Sequence, residues 1–307
     1  MKKNQNLKTI YAGAILIAAT FMAGCENNDE GDFVPMGSVS IAVTDSPIDD
    51  VSAVFVQFSG MELYNTDGSE KEITFDPPKL VNLLSLQGSL SEEVLTEYAI
   101  PAGDYSYATF NIDINESYLV MKGEPSINLP MVLSPLLNVG AFIKDILLNG
   151  SDEAYPIVPF SIQEGETTHL TFDFDLRKSI FSEGVSNTYS FSPAIRSVLT
   201  NEAGSIAGSI TSNLPGCVDE NSAIYIYSGR SQALMDIRGL SSDPISTSNI
   251  NTDNGNSYEL GFLPHGDYTI AIACDAADDA VNEDDILSFE GKQNITVVAG
   301  QTTNHDF

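Results

Sequence analysis

One short unit, written twice, constrains the fold of this chain more than any other feature. Ile100 to Asp113 reads I-P-A-G-D-Y-S-Y-A-T-F-N-I-D, and Leu263 to Cys274 reads L-P-H-G-D-Y-T-I-A-I-A-C. Proline presets φ at a turn position and glycine supplies positive φ, so each copy reads as a tight turn feeding a half-buried strand. In the first copy the alternation passes through Tyr105 and Tyr107, slips by one residue near Ala108 and resumes at Phe110, Ile112 and Ile114. Two copies in one chain predict a mainly β protein with two β-sandwich-like domains in series.

Period-two alternation fills in the rest. Val39, Ile41 and Val43 make a strand ended by Thr44-Asp45-Ser46-Pro47. Val54, Val56 and Phe58 begin another that runs through Met61, Leu63 and Tyr64 to a hairpin turn at Asn65–Gly68. Ile73 and Phe75 begin a third before Pro77-Pro78, and Ser91-Glu92-Glu93 predicts a short helical turn. One amphipathic helix is expected in the first domain, over Ser134 to Gly150. Ser134 suits its N-cap, Pro135 its first turn, and Val139, Phe142, Ile143, Ile146 and Leu147 share one face. His169 to Arg177 reads as a strand with Leu170, Phe172, Phe174 and Leu176 on one face and Thr171, Asp173 and Asp175 on the other. A last edge near Val198 and a linker at Thr200–Gly204 divide residues 37–200 from a second β domain, residues 201–307.

The first 24 residues read as a targeting segment. Lys2, Lys3 and Lys8 precede an apolar run of 12 residues, Ile10 to Phe21, too short to span a bilayer as a stop-transfer helix. The run ends in Met22-Ala23-Gly24-Cys25, which resembles the bacterial lipobox; Met22 stands where leucine is usual. The resemblance implies an acylated Cys25, a tether over residues 25–36 and a Gram-negative outer-membrane anchor facing the periplasm or the cell surface. Export in turn implies an oxidising compartment, where Cys217 and Cys274 form an even pair. A bond between them closes a 57-residue loop, which stabilises the fold by up to about 4 kcal/mol on chain-entropy grounds.

Charge excludes one class of partner. The chain carries 13 basic and 43 acidic residues, a net charge of −30, and loss of the first 24 residues leaves −33. Such a surface repels phosphate backbones, so nucleic acid is not expected as a partner.

Four stretches together resemble the bacterial lipoprotein family built on DUF4382, a domain of unknown function. They are G-S-V-S-I-A-V-T-D-S-P from Gly37, V-N-L-L-S-L-Q from Val81, I-P-A-G-D-Y from Ile100 and F-D-F-D-L-R-K-S-I from Phe172. The resemblance covers residues 37 to 200 and implies an exported β-rich domain without an assigned activity. The second domain has G-x-I-x-G-x-I, Y-E-L-G-F-L-P-H-G-D-Y-T-I and I-T-V-V-A-G-Q-T-T in order. That frame resembles carboxypeptidase regulatory-like domains, which implies a transthyretin-like sandwich acting as a spacer or binding module.

No motif of catalysis is present. His169, His265 and His305 are scattered, and no H-E-x-x-H, G-x-S-x-G or Walker loop occurs, so an enzyme acting on envelope polymers is the least supported reading. The densest cluster is D-A-A-D-D-A-V-N-E-D-D. Its acids Asp275, Asp278, Asp279, Glu283, Asp284 and Asp285 are candidate ligands for calcium, a hard cation that takes several oxygens. Asp45, Asp173 and Asp175 are a second candidate set. The expected function is that of a non-catalytic binding or scaffold module, with a calcium-assisted glycan-binding or adhesion protein as the alternative.

Overall fold

Alternating apolar residues lay down the first strands. β1 (Met36–Ser46) buries Val39, Ile41 and Val43, and β2 (Val51–Asn65) buries Val54, Val56, Phe58, Met61 and Leu63. The computed structural model describes residues 34–124, 127–133, 159–182, 189–211, 214, 217–281 and 283–307. The expected targeting segment, Cys25, residues 25–33 of the expected tether and the helix expected at 134–150 lie outside the described residues. The chain continues through β3 (Glu70–Asn82), β4 (Glu92–Pro101), β5 (Gly103–Met121), β6 (Leu129–Leu133), β7 (Phe160–Ile162) and β8 (Thr167–Asp175). A one-turn helix α1 (Leu176–Ser179) leads to β9 (Ile180–Ser182), β10 (Tyr189–Phe191) and β11 (Ile195–Leu199). One sheet runs β11-β8-β1-β4. The other runs β3-β2-β5-β6-β10-β9, with β7 also on β5. Between them Phe58, Phe110, Phe172 and Phe174 pack with ring centroids 5.1 to 5.6 Å apart.

Three expectations change. Ser91-Glu92-Glu93 caps no helix: pairing of β4 with β1 overrides the local signal, and the 3-10 turn lies earlier, at Leu83–Ser85. β8 ends at Asp175, whose side chain accepts the Lys178 N–H and turns the chain into α1, so Arg177 is not a strand residue. At the expected linker a three-residue 3-10 turn, Thr200–Glu202, passes directly into the next strand at Ala203.

From there the strands are β12 (Ala203–Ser209), β13 (Ala223–Ser228), β14 (Ser246–Asn249), β15 (Ser257–Pro264), β16 (Gly266–Ala273), β17 (Phe289–Val297) and β18 (Thr302–Asn304). They form sheets β15-β12-β18 and β14-β13-β16-β17 around a second core that includes Ile206, Ile224, Ile226, Leu260, Ile270 and Ile272. Cys217 and Cys274 are disulfide-bonded against this core. Both cores lie in one compact unit, Val34–Phe307.

The repeated sequence unit is the visible part of a larger repeat. Tyr105 donates to the Pro101 carbonyl at 2.8 Å and Tyr268 to the Pro264 carbonyl at 2.5 Å, the same tyrosine corner in both halves. The following aspartates also match. The Asp104 carbonyl accepts the Thr66 N–H and the Asp267 carbonyl the Gly229 N–H, each at 2.8 Å. Ser161 donates to Asp104, and Thr296 to Asp267. The likeness extends to strands that the motif does not contain. β1 pairs β4 antiparallel and β8 parallel, as β12 pairs β15 and β18. Ser38 meets Thr167 at 2.7 Å and Ser205 meets Thr302 at 2.8 Å. A Cβ on Gly37 would stand 2.2 Å from the Gln163 carbonyl oxygen, and one on Gly204 2.4 Å from that of Val298, so both crossings require glycine. Even the bulges agree, with Glu97 in β4 and Phe262 in β15 at φ 45° and 49°. The phase slip in the first copy is a bulge at Ser106, which leaves Ala108 and Phe110 facing the core.

Tyr105→Phe and Tyr268→Phe each delete one hydroxyl from an otherwise intact ring. Each is expected to lower the unfolding free energy by about 1 to 2 kcal/mol, with near-additive effects in the double variant, as read by urea denaturation.

Candidate functional site

Alternation on β8 places Thr171, Asp173 and Asp175 opposite the apolar face, where a lone sandwich would expose them. They are buried nonetheless, at 0%, 4% and 5% exposure, because the second half covers that face. The contact is close. Ser46 Oγ lies 2.8 Å from Ser246 Oγ, and a Cβ on Gly261 would stand 1.9 Å from the Gly88 carbonyl oxygen, so backbone meets backbone. Three cations of the first half reach across. Arg177 pairs with Asp49 and donates to the Ala276 carbonyl at 2.9 Å and to Asn249 Oδ1 at 3.0 Å. Lys178 pairs with Asp175 at 3.0 Å and donates to the Pro244 carbonyl. Arg196 pairs with Asp173 and donates to the Phe262 carbonyl at 2.6 Å.

The candidate set Asp45, Asp173 and Asp175 therefore shares one buried neighbourhood, though not as a ligand cluster. Among the described residues their ligand atoms do not gather as a metal site would require. Asp173 and Asp175 are occupied by Arg196 and Lys178. Burial pushes the Asp173 carboxyl above the ordinary aspartate range, with Arg196 opposing the shift.

The acidic loop is divided as well. It does not stand free in solvent: together with the segment around Met235 to Asp243 it covers Tyr225 and Tyr227 on the outer face of β13. Asp279 is buried, accepting the Tyr225 hydroxyl at 2.6 Å and the Ile237 N–H at 3.1 Å, and burial raises its pKa. Asp285 accepts the Ala280 N–H at 2.8 Å, and its own N–H donates to Asp236 Oδ2 at 2.6 Å. Asp275 accepts the Ser288 N–H, Asp284 pairs with Arg238 at 3.0 Å, and Asp278 and Glu283 are exposed. One carboxylate oxygen each from Asp236, Asp279 and Asp285 lies within 4.8 Å of the others. Bound through one oxygen each, three carboxylates supply about half of the roughly 6 to 8 oxygens calcium takes, and Arg238 Nε already lies 3.1 Å from Asp236. Asp236 gave no signal in the sequence, since it is a single acid in a separate segment.

Between the halves, beside this loop, lies a cleft of about 550 Å³. Val51, Met121 and Ile180 give it an apolar wall, Asp50 and Glu283 are exposed beside it, and Arg177 is its buried cation. Among the described residues none of the three histidines makes a side-chain hydrogen bond. His169 and His265 are exposed, and His305 Nε2 is buried without a partner, which lowers its pKa. No helix among the described residues is long and apolar enough to cross a membrane.

Comparison with known proteins bears on the first half. The model of the family described as "Domain of unknown function (DUF4382)" matches residues 36–193, just over half of the chain. No curated protein matches. Among solved structures, the Bacillus anthracis TIE protein is 12% identical with a TM-score of 0.22, covering 88% of this chain and 34% of its own. A leucine-rich repeat protein from Bacteroides thetaiotaomicron is 10% identical with a TM-score of 0.19, covering 89% and 26%. GBS52, the minor pilin of Streptococcus agalactiae, is 10% identical with a TM-score of 0.22, covering 88% and 94%. The chain thus spans about a third and a quarter of the first two, and scores of this size establish no common whole-chain arrangement. What the family match does establish is that this chain, through residues 36–193, belongs to the DUF4382 family of domains of unknown function.

Proposed function

We propose that the protein is a lipid-anchored, non-catalytic scaffold or binding module of the cell envelope. Acylated Cys25 holds it at the outer membrane, and its second half is a carboxypeptidase regulatory-like sandwich. The observation that carries this reading is the joint between the halves. Two sandwiches in backbone contact, with three buried cations bridging them, suit a body that presents a surface at a fixed orientation from its anchor. The Cys217–Cys274 disulfide supports an exported location. The ligand is a glycan or an envelope protein, and the cleft beside the joint offers it a place.

A second reading, a calcium-assisted glycan or adhesion binder, is favoured by the convergence of Asp236, Asp279 and Asp285. A glycan array with and without chelator separates it from a passive spacer.

Three measurements test these readings. Cys25→Ala is expected to abolish acyl-chain labelling and move the protein to the soluble fraction; label retained by the variant would refute the anchor. Arg196→Met leaves Asp173 buried without its cation and is expected to cost about 3 to 5 kcal/mol in urea unfolding. A loss below about 1 kcal/mol would mean the joint is not a rigid element. On the second reading, calorimetric titration of calcium into the mature chain shows binding that Asp236→Asn removes, and flat heats to millimolar calcium would dismiss that reading.

A further inference from the structure

The cleft beside the joint is built by both halves. From the first, Ile48, Met121, Phe181 and Tyr189 line it half-buried, so each keeps part of its apolar surface in water. From the second, Ala277, Ala280 and Val281 close it, and Glu283 stands exposed on that side. A volume of about 550 Å³ is that of a site enclosing a small ligand or a few side chains. The walls are held in place without a ligand. Arg177 joins Asp49 of one wall to the Ala276 carbonyl beside the other, and the Tyr225 hydroxyl and the Ile237 N–H fix Asp279. Asp50 sits at φ 58°, its carbonyl accepting the Lys122 N–H at 2.9 Å. A preformed site of this kind loses little conformational freedom on binding.

The polar groups narrow the choice of ligand. Arg177, the cation of the cleft, is engaged by Asp49, Asn249 and the Ala276 carbonyl, and Asp279 by Tyr225 and Ile237. Asp50 and Glu283 remain: among the described residues neither carboxylate makes a hydrogen bond or an ion pair. Carboxylates accept hydrogen bonds and donate none. Beside them, side-chain hydroxyls line the cleft only at Ser182 and Tyr189. A sugar, with a hydroxyl on nearly every ring carbon, would bury oxygens without partners, which is costly. An ammonium or guanidinium group on an aliphatic stem matches the lining instead. The stem lies against apolar side chains, the charged end meets carboxylates, and aromatic rings such as Phe181 and Tyr189 attract cations to their faces. The long-range field agrees. A second copy of the chain would bring like charge to a body of net charge −30, whereas a basic segment is drawn to it.

We propose that the cleft binds a peptide segment of a protein partner through a lysine or arginine side chain flanked by apolar residues. Asp50 and Glu283, one from each half, receive the positive charge, and Met121, Phe181 and Val281 take the stem and its apolar neighbours. The inference rests on the binding-module reading above and narrows its ligand to protein.

Fluorescence anisotropy with the full chain tests it. The probes are a labelled pentapeptide alternating leucine with lysine, a second alternating serine with lysine, and a panel of labelled neutral oligosaccharides. The leucine peptide is expected to bind about tenfold tighter than the serine peptide. Asp50→Asn with Glu283→Gln is expected to weaken it about three- to tenfold. Glu70→Gln with Asp253→Asn removes the same charge from exposed positions outside the cleft and is expected to change affinity by less than about twofold. Ala280→Trp, at an exposed position of the wall, is expected to block the peptide; should it disturb the fold, the two charge variants still decide the matter. Equal weakening by both charge variants assigns binding to the general field and overturns the proposal, as does binding that survives Ala280→Trp in a folded chain. An oligosaccharide that binds and is blocked by Ala280→Trp also overturns it, yet leaves the binding-module reading standing. Binding of no probe overturns the proposal together with that reading and leaves only the scaffold.

Discussion

Arg177, Lys178 and Arg196 are each held between a carboxylate of their own half and a backbone carbonyl of the other. Taking each ion out of water costs several kcal/mol, and only well-formed partners offset it. The carboxylates offer the charge, but the carbonyls of Ala276, Pro244 and Phe262 accept further N–H donors, and these belong to a 3-10 turn, a connecting segment and a bulge. Docking therefore depends on backbone shape. Phe262 sits at φ 49° in the β15 bulge, and its neighbour Gly261 leaves room for the Gly88 carbonyl. A slip of either half would strand three cations at once. Such an arrangement adds little net stability over an apolar interface. What it supplies here is a single permitted alignment.

Set against this, the internal repeat makes the asymmetry of the molecule easier to see. Both halves contain the tyrosine corner, the crossing glycine and the bulged fourth strand. Only the first adds β11 beside its parallel strand, and with β11 comes Arg196, the cation that pairs with Asp173. The second half instead invests in the outer face of its other sheet, where Tyr225, Tyr227 and Ile237 are roofed by its own loops and the disulfide ties Cys274 at the root of the roof. One scaffold thus carries an acceptor surface in its first copy and a loop-covered surface in its second.

How much of this could be read from the residues depends on the range of the interaction. The strands with Val39 to Val43, Val54 to Leu63 and Tyr268 to Ile272 were legible, because alternation records which face is buried. The P-x-G-D-Y units were legible because turn chemistry is local. β4 was not, since its partner β1 lies about fifty to sixty-five residues away and its own segment carries a capping pattern. β14 and β18 were not, being short runs of Ser, Thr and Asn without alternation. For the acids, composition located the loop but not its ligand geometry. Asp279 and Asp285 come together with Asp236, some forty residues earlier, and Asp275, Asp278, Glu283 and Asp284 turn elsewhere. The strand face of Asp173 and Asp175 was read correctly as polar. That it is buried required the second half, which no local pattern announces.

The joint also changes how the net charge should be understood. Of the ten basic residues after residue 24, three are withdrawn into the joint. Their carboxylate partners are withdrawn too, but the cations left for the surface are few: among the described residues they are Lys71, Lys79, Lys122, Arg230, Arg238 and Lys292, and Arg230 and Arg238 are themselves paired with aspartates. The solvent-facing shell is consequently dominated by negative charge. The field of such a surface reaches into solvent over a Debye length of about 8 Å at physiological salt. The same field concentrates cations at the surface. Cohesion between the halves and the anionic exterior therefore share one cause, the placement of scarce positive charge inside and abundant negative charge outside.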